Sequence, residues 1–162
     1  MQEMKPLFKL VLVGCVLSAS LLGIASGSSR DGSDRKVISA FFQMSLKDQL
    51  THFTTHSIRE QYAIYIYGNQ KREPPALYLA RPFGAEGAKV VPLLTARLAT
   101  ASDDATIRDI VLVFSEMSSQ GAVRVAQDQK LMRLLTDSVA KMKDPGWRSI
   151  SEHELERMRS SS

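Results

Sequence analysis

A single cysteine, Cys15, serves the whole chain of 162 residues. No intramolecular disulfide can form. Because Cys15 lies in the apolar leader described below, the body has no thiol chemistry of its own and must rest on packing. Histidine is scarce as well, with three residues, so an imidazole-based site has one place to form. A strong excess of either charge is missing: 21 Lys and Arg stand against 17 Asp and Glu, a formal net charge of +4 spread without a dense basic stripe. A nucleic-acid partner needs concentrated positive charge, so none is expected. No serine sits in a nucleophile elbow. The segment Gly84-Ala85-Glu86-Gly87-Ala88-Lys89 is too tightly spaced for a phosphate loop and follows no strand. The chain therefore reads as non-enzymatic, without a cofactor.

One long apolar run is present, and it lies at the start. Lys5 and Lys9 flank an uncharged stretch, residues 10–25, that ends in Ser26-Gly27-Ser28-Ser29. A basic flank, an apolar run and small residues form the plan of a secretory signal peptide, and Gly23-Ile24-Ala25 and Ala25-Ser26-Gly27 both fit a signal peptidase. Two other readings also export the body. Leu12-Val13-Gly14-Cys15 resembles the lipobox of bacterial lipoproteins, which implies a lipid on Cys15. Residues 7–25 could instead span a bilayer as an uncleaved anchor if Lys9 snorkels, since a spanning helix needs about 20 apolar residues. For Cys15 the plainer reading is a small apolar residue inside the signal. The expected organisation is a signal peptide or anchor over residues 1–25, a linker over 26–34, a helical domain over 35–148 and a polar tail over 149–162. The body is expected in the periplasm or secreted, or anchored to the membrane facing the periplasm.

Apolar spacing of three and four runs through the body, which marks amphipathic helices. It is clearest in residues 87–118. Val90, Val91, Leu93, Leu94 and Leu98 form one stripe, with Pro92 near the helix start, where its missing amide costs little. Ser102 is the expected N-cap of the next helix, with Asp103 and Asp104 favourably placed on its dipole. Ile107, Ile110, Val111, Phe114 and Met117 form its stripe. The short turn between the two forces neighbouring, antiparallel helices. Further helices are expected around Val37 and Phe41, from an N-cap at Ser45 until Thr54-Thr55 break the pattern, and from Asp128 or Val123 to Lys141. Residues 58–67 fit both a strand and a helix; helix is preferred because no partner strand exists elsewhere. Residues 68–75 read as a loop, and Pro75 as the opening of a short helix that Pro82 and Gly84 end. Asp144-Pro145-Gly146 stops the last long helix, Trp147 folds back as a lid, and Ser151 caps a short fraying helix around Leu155 and Met158.

Pro92, Leu93-Leu94 and Leu98, then Asp104, then Ile107-Arg108 and an aliphatic run to Met117, together resemble a HEAT-type helical repeat. The resemblance implies an all-α fold of the armadillo-like α-solenoid kind, either a short α-α superhelix or a compact array of helical hairpins. It also implies that Pro92 bends the first helix, that Asp104 and Arg108 tie the turn to neighbouring repeats, and that the surface binds a protein.

Three groups of side chains are candidates for chemistry or recognition. His52, His56 and Glu60, four apart, would share one face of an unbroken helix and could bind a divalent ion; the glutamate a metalloprotease places beside its first histidine is missing, and a solvated face is the simpler meaning. His153 adds nothing to them. Asp103-Asp104 reads as capping charge rather than as a catalytic pair. Tyr62, Tyr65, Tyr67 and Tyr78 cannot all point into one core, so one or two should be exposed near Lys71 and Arg72, a combination enriched at protein interfaces. The expected function is that of an exported, non-enzymatic protein-interaction module of unknown partner. The alternative is a periplasmic metal-binding or metal-dependent hydrolytic protein using His52, His56 and Glu60, and a third is a membrane-tethered domain lying on lipid.

Overall fold

The computed structural model describes residues 28–161, with side chains from Arg35 onward. The signal, lipidation and anchor readings, and Cys15 with them, lie outside the described residues. Among the described residues the chain forms eight α-helices and no strand: α1 (Ser28–Gln43), α2 (Leu46–His52), α3 (Ile58–Lys71), α4 (Ala80–Ala85), α5 (Val91–Thr100), α6 (Asp104–Ser119), α7 (Gln129–Ala140) and α8 (Pro145–Ser160). Single 3-10 turns at Phe53–Thr55, Leu77–Leu79, Gly87–Lys89 and Val125–Gln127 lead into or follow them. Among the same residues no helix is long and apolar enough to cross a membrane.

The helix α6 forms the axis. Its residues Ile107, Ile110, Val111, Val113, Phe114 and Met117 are buried, and α3, α4, α5, α7 and α8 all pack on it. A helix apolar on so many sides is stable only when surrounded. Around one end the aromatic rings interlock, as the ring quadrupole favours: Phe41 of α1 lies edge to face 5.9 Å from Phe53, Phe53 edge to face 5.9 Å from Phe83 of α4, and Phe83 lies tilted 5.8 Å from Tyr65 of α3. Each such burial contributes about 1.5–3 kcal/mol. The helices α1 and α3 approach closely at Gly68, where an added Cβ would meet Phe42 and Ala76 at 2.7 Å.

Residues 58–67 lie within α3. Ser57 accepts from the Glu60 amide at 3.3 Å while the Glu60 carboxylate accepts from the Ser57 amide at 2.9 Å, a reciprocal capping box. The helix runs on to Lys71, beyond the expected loop start at Gly68, because the contact of Gly68 with α1 rewards continuing it.

Several sequence expectations are corrected. Asp103, not Ser102, caps α6: its backbone is extended and its carboxylate accepts from the Thr106 amide at 2.8 Å. Aspartate serves there as well as serine. Pro82 does not end a helix but lies in the first turn of α4, where the first four amides have no helical partner in any case. Pro75 opens no α-helix; Leu77–Leu79 is a 3-10 turn. The helix α1 begins at Ser28, inside the expected linker over 26–34; polarity suggested a linker, but a polar sequence does not by itself exclude a helix. Asp144 starts α8 by accepting from the Trp147 amide at 2.8 Å, with Pro145 in the first turn. Ser151 is therefore not a cap but a buried residue inside α8, in line with Leu155 and Met158. That narrow stripe faces α6, so helix replaces much of the expected polar tail.

Pro92 is the second residue of α5, in its first turn. Asp104 reaches away from its own helix: its carboxylate accepts from the amides of Lys143 at 2.8 Å and Asp144 at 2.6 Å. It thus joins the start of α6 to the turn between α7 and α8. Arg108 pairs with Asp109 at 2.7 Å and stacks at 4.6 Å over Trp147. Trp147 is accordingly half-exposed beside a cation rather than a lid on an apolar layer; its large ring finds partial cover on the guanidinium instead.

Candidate interaction surface

The helix α3 distributes its tyrosines to three environments, because successive residues advance by 100° and cannot share a face. Tyr65 points inward, is fully buried, and donates its hydroxyl to the Asp109 carbonyl oxygen of α6 at 2.9 Å. Burial pushes its hydroxyl well above the ordinary tyrosine range, with Asp109 adding to the effect. Tyr62 is half-buried, also raised by burial, and the Arg97 guanidinium of α5 lies 5.4 Å above its ring. Tyr67 is 41% exposed, and its ring lies 6.0 Å from that of Phe42 on α1. Tyr78 is exposed too, but its hydroxyl donates to Gln49. Burial raises it, and Arg72 acts in the opposite sense.

Tyr67 is the ridge between two hollows. One, of about 300 Å³, is lined by Tyr62, Ile66 and Tyr67 with Arg59, Lys71 and Arg97. The other, of about 520 Å³, is lined by Ile38, Phe42 and Tyr67 with Arg35 and Arg72. The Arg72 guanidinium is spread 4.5 Å above the Phe42 ring. Among the described residues, the charged side chains lining the two hollows are cationic. The fold thus brings together Tyr62, Tyr67, Lys71 and Arg72, and leaves Tyr65 in the core and Tyr78 outside both hollows. Sequence reasoning missed Arg35, Arg59 and Arg97. Arg59 was within reach, since Arg59, Tyr62 and Ile66 follow the spacing of one helix face. Arg97 was not, because only the packing of α5 beside α3 delivers it.

Beneath this surface lies a buried polar group on α6. Asp109 is fully buried; Arg108 donates to it from Nε at 3.0 Å and from Nη2 at 2.7 Å, and Gln70 from Nε2 at 3.2 Å. Burial raises its carboxyl above the ordinary carboxylate value, against the pull of Arg108. Donors and acceptor are arranged to hold α3 to α6; Gln70 also lines the smaller hollow, whereas Arg108 and Asp109 line neither.

The His52, His56 and Glu60 set does not share a helix face. The helix α2 ends at His52, the chain tightens through Phe53–Thr55, and α3 starts only at Ile58. His56 lies edge-on to the Phe41 ring at 5.8 Å. The Glu60 carboxylate is held by Ser57, whose hydrogen bonds lower its pKa. Among the described residues no three His, Cys, Asp or Glu side chains are grouped to hold a metal ion. Asp103 and Asp104 each accept backbone amides, in different directions, and form no pair for acid–base work.

Fold and surface together define an all-helical protein whose most developed feature is a cationic, aromatic face across α1, α3 and α5. No protein-family model, curated protein or solved structure matches the chain.

Proposed function

We propose that the protein is an exported, non-enzymatic helical module that binds another protein through the face centred on Tyr67. The observation that carries this reading is the pair of hollows on either side of Tyr67, with two arginines stacked on the rings of Phe42 and Tyr62. Aromatic residues and arginine are the side chains enriched where proteins dock, since they combine large contact area with few lost rotamers. Export rests on the apolar run over residues 10–25 and its basic flank. A HEAT-like array of hairpins is the architecture we favour for it. Asp104 supports that reading by tying the start of α6 to the turn that begins α8, as do the contacts of α5 with both α6 and α7.

Photo-crosslinking in intact cells tests the proposal. A crosslinking residue in place of Tyr67 is expected to trap one discrete protein, and one in place of the exposed Thr136 on α7 is expected to trap none. Equal, diffuse products from both positions would refute it.

A further inference from the structure

The buried carboxyl of Asp109 reaches the wall of the smaller hollow through one side chain. Gln70 lines that hollow from α3, and its Nε2 turns inward, donating to Asp109 Oδ2 and to Thr106 Oγ1 at 3.2 Å each. A carboxylate can only accept, so the amide faces it nitrogen first, which leaves Oε1 as the amide atom on the side of the hollow. We infer that Asp109 and Gln70 form a proton-operated switch, in which a proton taken up by Asp109 turns the Gln70 amide over and puts a donor in the hollow wall where an acceptor stood.

The two oxygens of Asp109 are not equivalent. Oδ1 accepts from Arg108 Nε at 3.0 Å and Nη2 at 2.7 Å, whereas Oδ2 accepts the longer bond from Gln70. A proton drawn from solvent therefore goes to Oδ2, and returns to solvent as pH rises. The neutral carboxyl then has an O–H to place in a fully buried position. With Nε2 opposite, that hydrogen meets no acceptor, and an unmatched buried donor is costly. Turning the amide over lets Oε1 accept from it, while the Thr106 hydroxyl changes from acceptor to donor toward the same oxygen. Arg108 keeps both its bonds, because Oδ1 still accepts. Burial favours proton uptake most, Arg108 opposes it, and Asp103 at the start of α6 adds to it. Tyr62 and Tyr65 on α3 also interact with Asp109, with hydroxyls that burial raises and so keeps neutral. From α8 the Trp147 ring faces Arg108, and from α5 Arg97 faces Tyr62. One consequence rests on the reading of this face as a docking surface: a partner fitted to an acceptor at neutral pH meets a donor after uptake, so acidification loosens its hold on the smaller hollow.

NMR on the full chain in mild detergent tests the switch, following the Asp109 carboxyl carbon and the Gln70 side-chain amide from neutral pH downward. The Asp109 signal is expected to titrate with a midpoint above the ordinary 3.8. Through that same midpoint the Gln70 amide protons should lose their nuclear Overhauser contacts with Thr106. Asp109→Asn keeps an oxygen for Arg108 and puts a donor where Oδ2 stood, so its Gln70 amide should be turned over at every pH. The parent titration decides the matter even where that variant fails to fold. Thr106 contacts that persist through the Asp109 titration, a midpoint at or below 3.8, or a folded Asp109→Asn whose amide sits as in the neutral parent would each overturn the inference. These signals need no partner: their failure removes the switch and leaves the binding face, whereas diffuse crosslinking from Tyr67 removes the face and leaves the switch.

Discussion

Among the described residues, Asp109 is a carboxylic acid whose pKa burial raises. Its carboxyl is fully buried, and burial raises its pKa above the ordinary 3.8 despite Arg108. Between that ordinary value and the raised one, the folded chain holds a proton that the unfolded chain has lost. Stability therefore falls as pH rises through this window, and is regained on going back down. Asparagine in its place has no proton to lose. Asp109→Asn should be less stable than the parent, by about 1–3 kcal/mol for the polar partners left unmatched. Its deficit should be largest near pH 4 and shrink toward neutrality, as the parent alone loses stability. Urea unfolding of both proteins across that range checks the sign, and a deficit that grows with pH would contradict it. None of this was legible beforehand: Asp109 follows Arg108 in an ordinary-looking amphipathic helix, and only the closing of α3 over α6 removes it from water. The tyrosines were legible in part. That Tyr62, Tyr65 and Tyr67 could not share one core follows from helical rotation alone, whereas which one turns inward depends on where Asp109 presents its carbonyl.

At the scale of elements, helix ends carry much of the specificity. Ser57, Asp103, Asp128 and Asp144 each accept an amide in the first turn of the helix they start, and such caps contribute about 1 kcal/mol each. Asp104 does something different, since its two accepted amides belong to a turn 39 and 40 residues later. Asp104→Ala should leave α6 capped by Asp103 and yet free the start of α8. Amide exchange should then accelerate at Lys143 and Asp144 and along the first turn of α8, while the Thr106 amide keeps its protection. Uniform acceleration across α6 would mean that Asp104 supports its own helix instead. The central pair of helices was readable because its apolar stripes are broad. The start of α1 and the length of α8 were not, for a shared reason: their sequences are polar enough to pass for linker and tail, and period-based reading needs a wide stripe. Cation–aromatic stacking hid the role of Trp147 in the same way, as a contact between α6 and α8 that neither segment announces.

For the whole molecule, the question is how much of the fold depends on α8, which reads as a dispensable polar end. It packs along α6 more extensively than any other element, through Ser151, Leu155 and Met158, all within 3% of full burial, while Glu154 accepts from Ser115 on α6. The helix α6 is the axis on which the other helices rest, so uncovering one side of it exposes apolar surface at the centre of the structure. Truncating a buried Leu or Met to Ala removes about 2–5 kcal/mol, against a total of about 5–15 kcal/mol for a domain. Leu155→Ala alone should therefore lower the urea midpoint clearly, and Leu155→Ala with Met158→Ala should leave the chain near the edge of folding. The exposed Ile150→Ala on the same helix should cost less than about 0.5 kcal/mol, as surface changes do. Parent-like unfolding of the double variant would show that α6 is covered without α8, and that the helical body ends where the sequence first suggested, near Trp147. A cooperative loss with both buried positions, and none with Ile150, would make α8 part of the core on which the Tyr67 surface depends, because α3 is held to the same axis through Tyr65 and Asp109.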